Sequence, residues 1–221
     1  MKILFIGNSY TYYNDLWNIV KDIYKTQGED IEVDHHTIGG ATLNQLFFED
    51  EESKKIIEDK LNNNKYDYMF IQEQSVRPVV DTNLFIDAVV DINKICKEKN
   101  INLILYETWE RKEGCFMLDE IKRTSTQMGK ELIEAYTNAA NIVNCKVSHV
   151  GKAFHYINEH HKEIELYFED KSHPSYDGSL LAAIVHYITL EQKAPIFTTN
   201  IFKTNDETLK VLVEVASKIV L

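Results

Sequence analysis

Three residue types that together perform acyl transfer stand at opposite ends of this chain. Ser9 closes the run Ile3-Leu4-Phe5-Ile6-Gly7-Asn8-Ser9, a short apolar segment that ends in a glycine turn. Such a run reads as a buried parallel strand that stops and presents a hydroxyl. Near the other end comes Asp170-Lys171-Ser172-His173-Pro174, an acid and an imidazole with two residues between them. A serine hydroxyl is a weak nucleophile at neutral pH and needs a base within hydrogen-bond reach, which His173 would supply. Asp170 would then hold the imidazole tautomer and stabilise the imidazolium formed during attack. Taken singly, Ser9 also reads as a turn serine or helix cap, and Asp170 with His173 as a cap and a surface imidazole. Together they form the set an acyl-serine mechanism requires.

The elements that must position them follow from the patterning. Apolar, strand-like runs at 3–6, 31–35, 68–71, 103–106 and 142–147 alternate with helical stretches at 15–27, 54–61, 83–99, 118–138 and 179–190. This alternation predicts an α/β fold, a mostly parallel five-stranded sheet with helices on both faces. In an open parallel sheet, ligands bind outside the carboxyl ends of the strands. Ser9, Gly40 and Gln74 follow the first, second and third runs, Glu107 and Trp109 follow the fourth, and Asp170 and His173 lie beyond the fifth, after the segment 151–168. The candidate chemistry therefore converges on one sheet edge.

With these blocks in order, the chain resembles an SGNH hydrolase of the GDSL esterase superfamily. Gly7-Asn8-Ser9 matches the nucleophile block, Gly39-Gly40-Ala41-Thr42 the glycine block after the second strand, and Asp170 to His173 the acid–base block. The third block, G-x-N-D, falls on Gln72-Glu73-Gln74-Ser75, a departure, and Asn8 stands where the first block has aspartate. The resemblance implies a three-layer α/β/α, flavodoxin-like domain over residues 1–221 with the triad Ser9, Asp170 and His173. It implies an oxyanion hole of the Ser9 and Gly40 N–H groups and the Gln74 side-chain amide. The activity implied is hydrolysis of a small acyl ester, acetyl esters and carbohydrate alcohols among them, without cofactor or metal. A transacylase and a non-catalytic glycan-binding module on the same scaffold are the alternatives. A flavodoxin-like nucleotide binder is disfavoured, since neither G-x-G-x-x-G nor G-x-x-x-x-G-K-[ST] occurs.

Bulk properties agree. The 221 residues suit one domain without internal repeats or linkers, and the formal charge of −11 argues against nucleic acid, an anionic membrane or a polyanionic substrate as partner. Glu49-Asp50-Glu51-Glu52 reads as a solvated loop or helix start, with a cation-binding role as the alternative. No apolar run approaches the ~18 residues of a membrane span. Cys96, Cys115 and Cys145 are widely spaced and odd in number, which indicates reduced thiols and a cytoplasmic setting. The pairs His35-His36 and His160-His161 lack carboxylates or cysteines at ligand spacing, so no metal site is assigned to them. Tyr10, Tyr12 and Tyr13, with Trp109, are expected to line the mouth of the site, with ordinary packing as the alternative, and Arg77-Pro78 to hold a loop, with contact to a substrate carboxylate as the alternative. The stretch 204–220 reads as an amphipathic helix that covers the fold, with a contact between copies in a homo-oligomer as the alternative.

Overall fold

The computed structural model describes Met1–Leu221. Five strands, β1 (Lys2–Gly7), β2 (Glu32–Thr37), β3 (Tyr68–Ile71), β4 (Asn102–Tyr106) and β5 (Lys146–Ser148), form one sheet in the order β2-β1-β3-β4-β5. Every pairing is parallel. Side chains alternate across a strand, so a strand covered on both faces must be apolar throughout. That is what the central strands show. Ile3 and Phe5 join Phe70, Ile104 and Tyr106 in one core, while Leu4 and Ile6 join Met69, Ile71, Leu103 and Leu105 in the other.

Helices α1 (Ser9–Tyr12), α2 (Leu16–Thr26), α3 (Glu51–Asn63), α4 (Arg77–Val80), α5 (Thr82–Lys99), α6 (Phe116–Ile121), α7 (Ser125–Val143), α8 (Val150–His160), α9 (Tyr176–Glu191) and α10 (Asp206–Val220) supply the outer layers. The first core is closed by α2, α8, α9 and α10, the second by α3, α5 and α7. Residues Gly178 to Thr189 of α9 are all buried, because α2, α8 and α10 pack around it against the sheet. No helix is long and apolar enough to cross a membrane.

Three elements differ from the pattern reading. The stretch 118–138 is two helices, separated where Lys122 takes a left-handed conformation (φ 54°) and Thr124 starts α7 with a capping box to Gln127. α7 runs on to Val143, which confines β5 to three residues. The unassigned segment 151–168 contains α8, whose start is capped by the buried Glu107. One Glu107 carboxylate oxygen accepts from the Lys152 N–H at 2.8 Å, and the other lies 2.9 Å from His149 Nδ1. A carboxylate at a helix N-terminus satisfies donors that lack helical partners.

The order places β1 and β3 side by side at the sheet's topological switch point, where helices leave toward opposite faces. A crevice at the carboxyl end of β1 follows.

Candidate active site

β1 delivers Ser9 just past Gly7, the last strand residue, where close packing favours glycine. A Cβ there would lie 2.6 Å from Thr11 Oγ1 and 2.7 Å from Gln72 Oε1. Asn8 caps α1, its Oδ1 accepting from the Tyr10 N–H at 3.2 Å, and leaves Ser9 as the first helical residue. The N–H of such a residue has no helical carbonyl to serve. The two departures from the family pattern prove to be one feature. Gln72, fully buried, accepts from the Asn8 N–H and donates to Asn8 Oδ1, both at 2.9 Å, and accepts from Thr11 Oγ1 at 2.9 Å. Asn8 in turn donates through Nδ2 to the Ala41 carbonyl at 3.0 Å, a bond that an ionised aspartate could not make. An amide pair thus ties the ends of β1 and β3 to the glycine loop after β2.

The candidate acid–base pair comes from the loop before α9. Ser9 Oγ lies 2.9 Å from His173 Nε2, and His173 Nδ1 bonds Asp170 Oδ2. Asp170 Oδ1 accepts the N–H groups of Ser172 at 3.0 Å and His173 at 2.9 Å, a turn made possible by the left-handed Lys171 (φ 61°). Partial burial pushes the Asp170 carboxyl upward, but the His173 ring, these two N–H bonds and the charge of His173 together outweigh it and hold its pKa below the usual carboxylate value. The Tyr13 ring stacks on His173 at 4.2 Å and 10° and restrains its plane.

Two side chains that patterning did not single out, or misplaced, hold this loop against the nucleophile turn. Asn14 Nδ2 reaches the carbonyls of Pro174 at 3.2 Å and Ser175 at 3.0 Å, and Ser179 Oγ at 2.9 Å. Trp109 does not line the mouth of the site. It is fully buried, stacked between Tyr10 at 4.3 Å and Phe154 at 4.1 Å, and its Nε1–H donates to the Ser172 carbonyl at 3.1 Å. Residues 107–110 turn inward after β4 and take the indole with them. Tyr10, 2% exposed, does line the cavity, together with Tyr12 and Tyr13.

That cavity, of about 320 Å³, brings together Ser9, Gly40, Gln74 and His173. Gly40 has φ +71°, a left-handed conformation that favours glycine. Gln74 Oε1 accepts the N–H groups of Val76 at 2.9 Å and Arg77 at 3.1 Å, which caps the turn into α4 and leaves Nε2 as the free end of the amide. Arg77 itself pairs with Asp81 at 3.6 Å, in keeping with a loop-holding role. The histidine pairs lie elsewhere. His35 stacks on Trp17 at 3.6 Å, His36 Nε2 bonds Ser53 Oγ at 2.7 Å, and His160 packs on Tyr156.

Glu73, 1% exposed, underlies the third block. Its Oε1 accepts from the N–H groups of Gln74 at 2.6 Å and Leu43 at 3.2 Å, yet burial dominates and pushes its pKa up to about 7. An acid whose pKa is raised by folding binds more protons folded than unfolded, so its contribution is fully present below about pH 4.5 and is lost as pH rises to about 7. Glu73→Gln keeps the acceptor and cannot ionise. It is expected to stabilise the protein at pH 8 by up to about 3 kcal/mol and to flatten the fall in stability between those pH values, as measured by urea unfolding at pH 5 and 8. An unchanged pH slope would show that Glu73 is not the group responsible.

No family model and no curated protein sequence matches this chain. Solved structures do. A candidate SGNH hydrolase from Slackia heliotrinireducens is 26% identical, with 86% of this chain and 98% of that one covered at a TM-score of 0.77. A DUF4886 family protein from Bacteroides uniformis, 17% identical, covers 99% of this chain and 93% of its own at a TM-score of 0.77. An acetylxylan esterase from Geobacillus stearothermophilus, also 17% identical, covers 86% and 94% at a TM-score of 0.62. The last two speak for the fold alone. With the blocks at Ser9, Gly40 and Asp170 to His173 gathered at the carboxyl edge of a 2-1-3-4-5 parallel sheet, this chain belongs to the SGNH hydrolase superfamily.

Proposed function

We propose that the protein is a serine ester hydrolase acting on short acyl esters through an acyl-serine intermediate. The observation that carries this reading is the linear array from Ser9 Oγ through His173 to Asp170, with 2.9 Å between Oγ and Nε2. As Ser9 Oγ bonds to the acyl carbon, its proton passes to His173 Nε2, and the carbonyl electron pair moves onto oxygen. The resulting oxyanion meets the Ser9 and Gly40 N–H groups and Gln74 Nε2, fixed donors aimed at charge that exists only in the transition state. Collapse expels the alcohol, which takes the proton from His173. Water then repeats the sequence on the acyl-serine and releases the acid. A cavity of about 320 Å³ supports a short acyl group, and acetyl is favoured because acetylxylan esterases are among the structures this chain resembles. The exposed Tyr12 ring at its wall offers a face for a carbohydrate alcohol.

The test is hydrolysis of 4-nitrophenyl esters from acetate to octanoate, paired with labelling by a fluorophosphonate and peptide mapping. Turnover highest for acetate or propanoate, and label on Ser9 alone, are expected. No turnover of any ester together with no labelling would overturn the reading.

The Gln74 role has its own test. Losing one oxyanion donor costs about 10²- to 10³-fold in kcat, with little change in KM because the ground state lacks the charge. Gln74→Ala should show that loss, and Gln74→Glu should show at least as much although it keeps the acceptor for Val76 and Arg77. A Gln74→Glu enzyme within threefold of wild type would leave the hole to backbone donors.

A further inference from the structure

Arg111 is a buried cation without a counter-ion on the wall of the cavity that holds Ser9. Of the three arginines in the chain, Arg77 pairs with Asp81 and Arg123 with Glu131, but Arg111 pairs with no carboxylate. It is 9% exposed. One terminal nitrogen donates to Ser75 Oγ at 2.6 Å, the guanidinium carbon lies 5.5 Å from the centre of the Tyr10 ring, and Nε is buried with no partner. A guanidinium carries five N–H donors and no acceptor, so most of its capacity here is unused. Burying such a charge unpaired is costly, and a residue kept in that state beside a cavity is set up for an anion that arrives later.

The surroundings select the kind of anion. The cavity's eleven lining residues include no aspartate or glutamate, so Arg111 is the one permanently charged side chain among them; the nearby Asp170 carboxylate is engaged by His173. The adjoining groove, which shares Gly39 and Gly40 with the cavity, carries Glu49 and Asp50. A single small anion is attracted inside, whereas an extended polyanion would meet these carboxylates and a chain of net charge −11. Arginine's planar fork matches the two oxygens of a carboxylate. We propose that Arg111 receives a free carboxylate of the substrate, so that the ester hydrolysed at Ser9 carries a second, unesterified carboxyl group in its acyl or its alcohol part. This rests on the esterase reading and narrows its substrate class from neutral esters to monoanionic ones.

The experiment uses the Ser9→Ala protein and two matched pairs of esters, with Kd read by calorimetry. 3-Acetoxybenzoate against 3-acetoxybenzamide places the carboxylate in the alcohol part, and phenyl hemisuccinate against phenyl butanoate places it in the acyl part. In one pair the carboxylate is expected to bind about 10- to 100-fold more tightly, the range of charge-assisted hydrogen bonds. Adding Arg111→Met should reduce that difference below threefold, and Arg111→Lys, which keeps the charge without the fork, should retain part of it. Arg111→Met removes an unpaired buried charge, so its melting temperature should not fall; should it fail to fold, Arg111→Lys still reports the loss. Pairs that differ by less than threefold, or a preference that survives Arg111→Met, would overturn the proposal. Turnover of the same esters by wild type separates the two readings. Equal hydrolysis of charged and neutral esters leaves the esterase standing and removes the carboxylate site. Binding preference without hydrolysis of any ester leaves the site and removes the esterase.

Discussion

Ser9→Ala is expected to lower kcat on a short aryl ester by roughly 10⁴- to 10⁶-fold with little change in KM, the range seen when a triad nucleophile is deleted. The loss is large because, among the hydroxyls that line the cavity, Ser9 Oγ alone bonds His173 Nε2, while Ser75 Oγ is held by Arg111. Oxyanion donors and binding alone leave only a residual acceleration over water. The substitution should be silent in the fold. Ser9 Oγ bonds His173 and no other side chain, and the cap of α1 is Asn8, not Ser9. The melting temperature is therefore expected to stay within about 2 °C of wild type, as for substitutions away from structural features. Steady-state kinetics and thermal denaturation on one preparation test both halves. Near-wild-type turnover would assign the chemistry to another group, and a collapsed melting temperature would make the kinetic loss uninformative about Ser9.

Asp170→Asn should cost about 10⁴-fold in kcat, through the tautomer of His173 rather than through charge alone. The direction follows from who occupies each carboxylate oxygen. Oδ1 accepts two backbone N–H groups, from Ser172 and His173, so an amide at position 170 must turn its oxygen there. Its NH₂ then faces His173 Nδ1, where Asp170 Oδ2 now stands. A donor at that place forces Nδ1 to be the acceptor and puts the ring proton on Nε2, opposite Ser9 Oγ. His173 can then no longer take the proton from serine. Proton-detected nitrogen spectra of the ring should show protonation moved from Nδ1 to Nε2, with the backbone turn unchanged. If kcat fell without a change of tautomer, Asp170 would be acting by charge alone.

Much of this candidate site's composition could be read from the chain because its parts are local. Gly7-Asn8-Ser9 and Asp170 to His173 each lie within one turn, and each follows an element announced by its own periodicity. What escaped the reading was contact between distant segments. Trp109, expected at the mouth, is instead a buried strut, because the loop after β4 turns inward against Phe154 of α8, a helix hidden in a segment of mixed polarity. The departures at Asn8 and Gln72 looked independent, yet they are partners 64 positions apart.

The sequence by itself determined the alternation of strands and helices, the parallel sheet and the gathering of the candidate residues at its edge, since apolar period, turn glycines and short motifs act over a few neighbouring residues. Only the tertiary structure decided that Gln74 keeps its amide nitrogen free while its oxygen caps α4. It alone decided that Glu73 is buried enough to hold its proton near neutrality, and that Arg111 enters the cavity without a counter-ion. Burial and hydrogen-bond partners depend on which segments the fold brings together. The charge state of a buried group is set by those neighbours, not by its position in the chain.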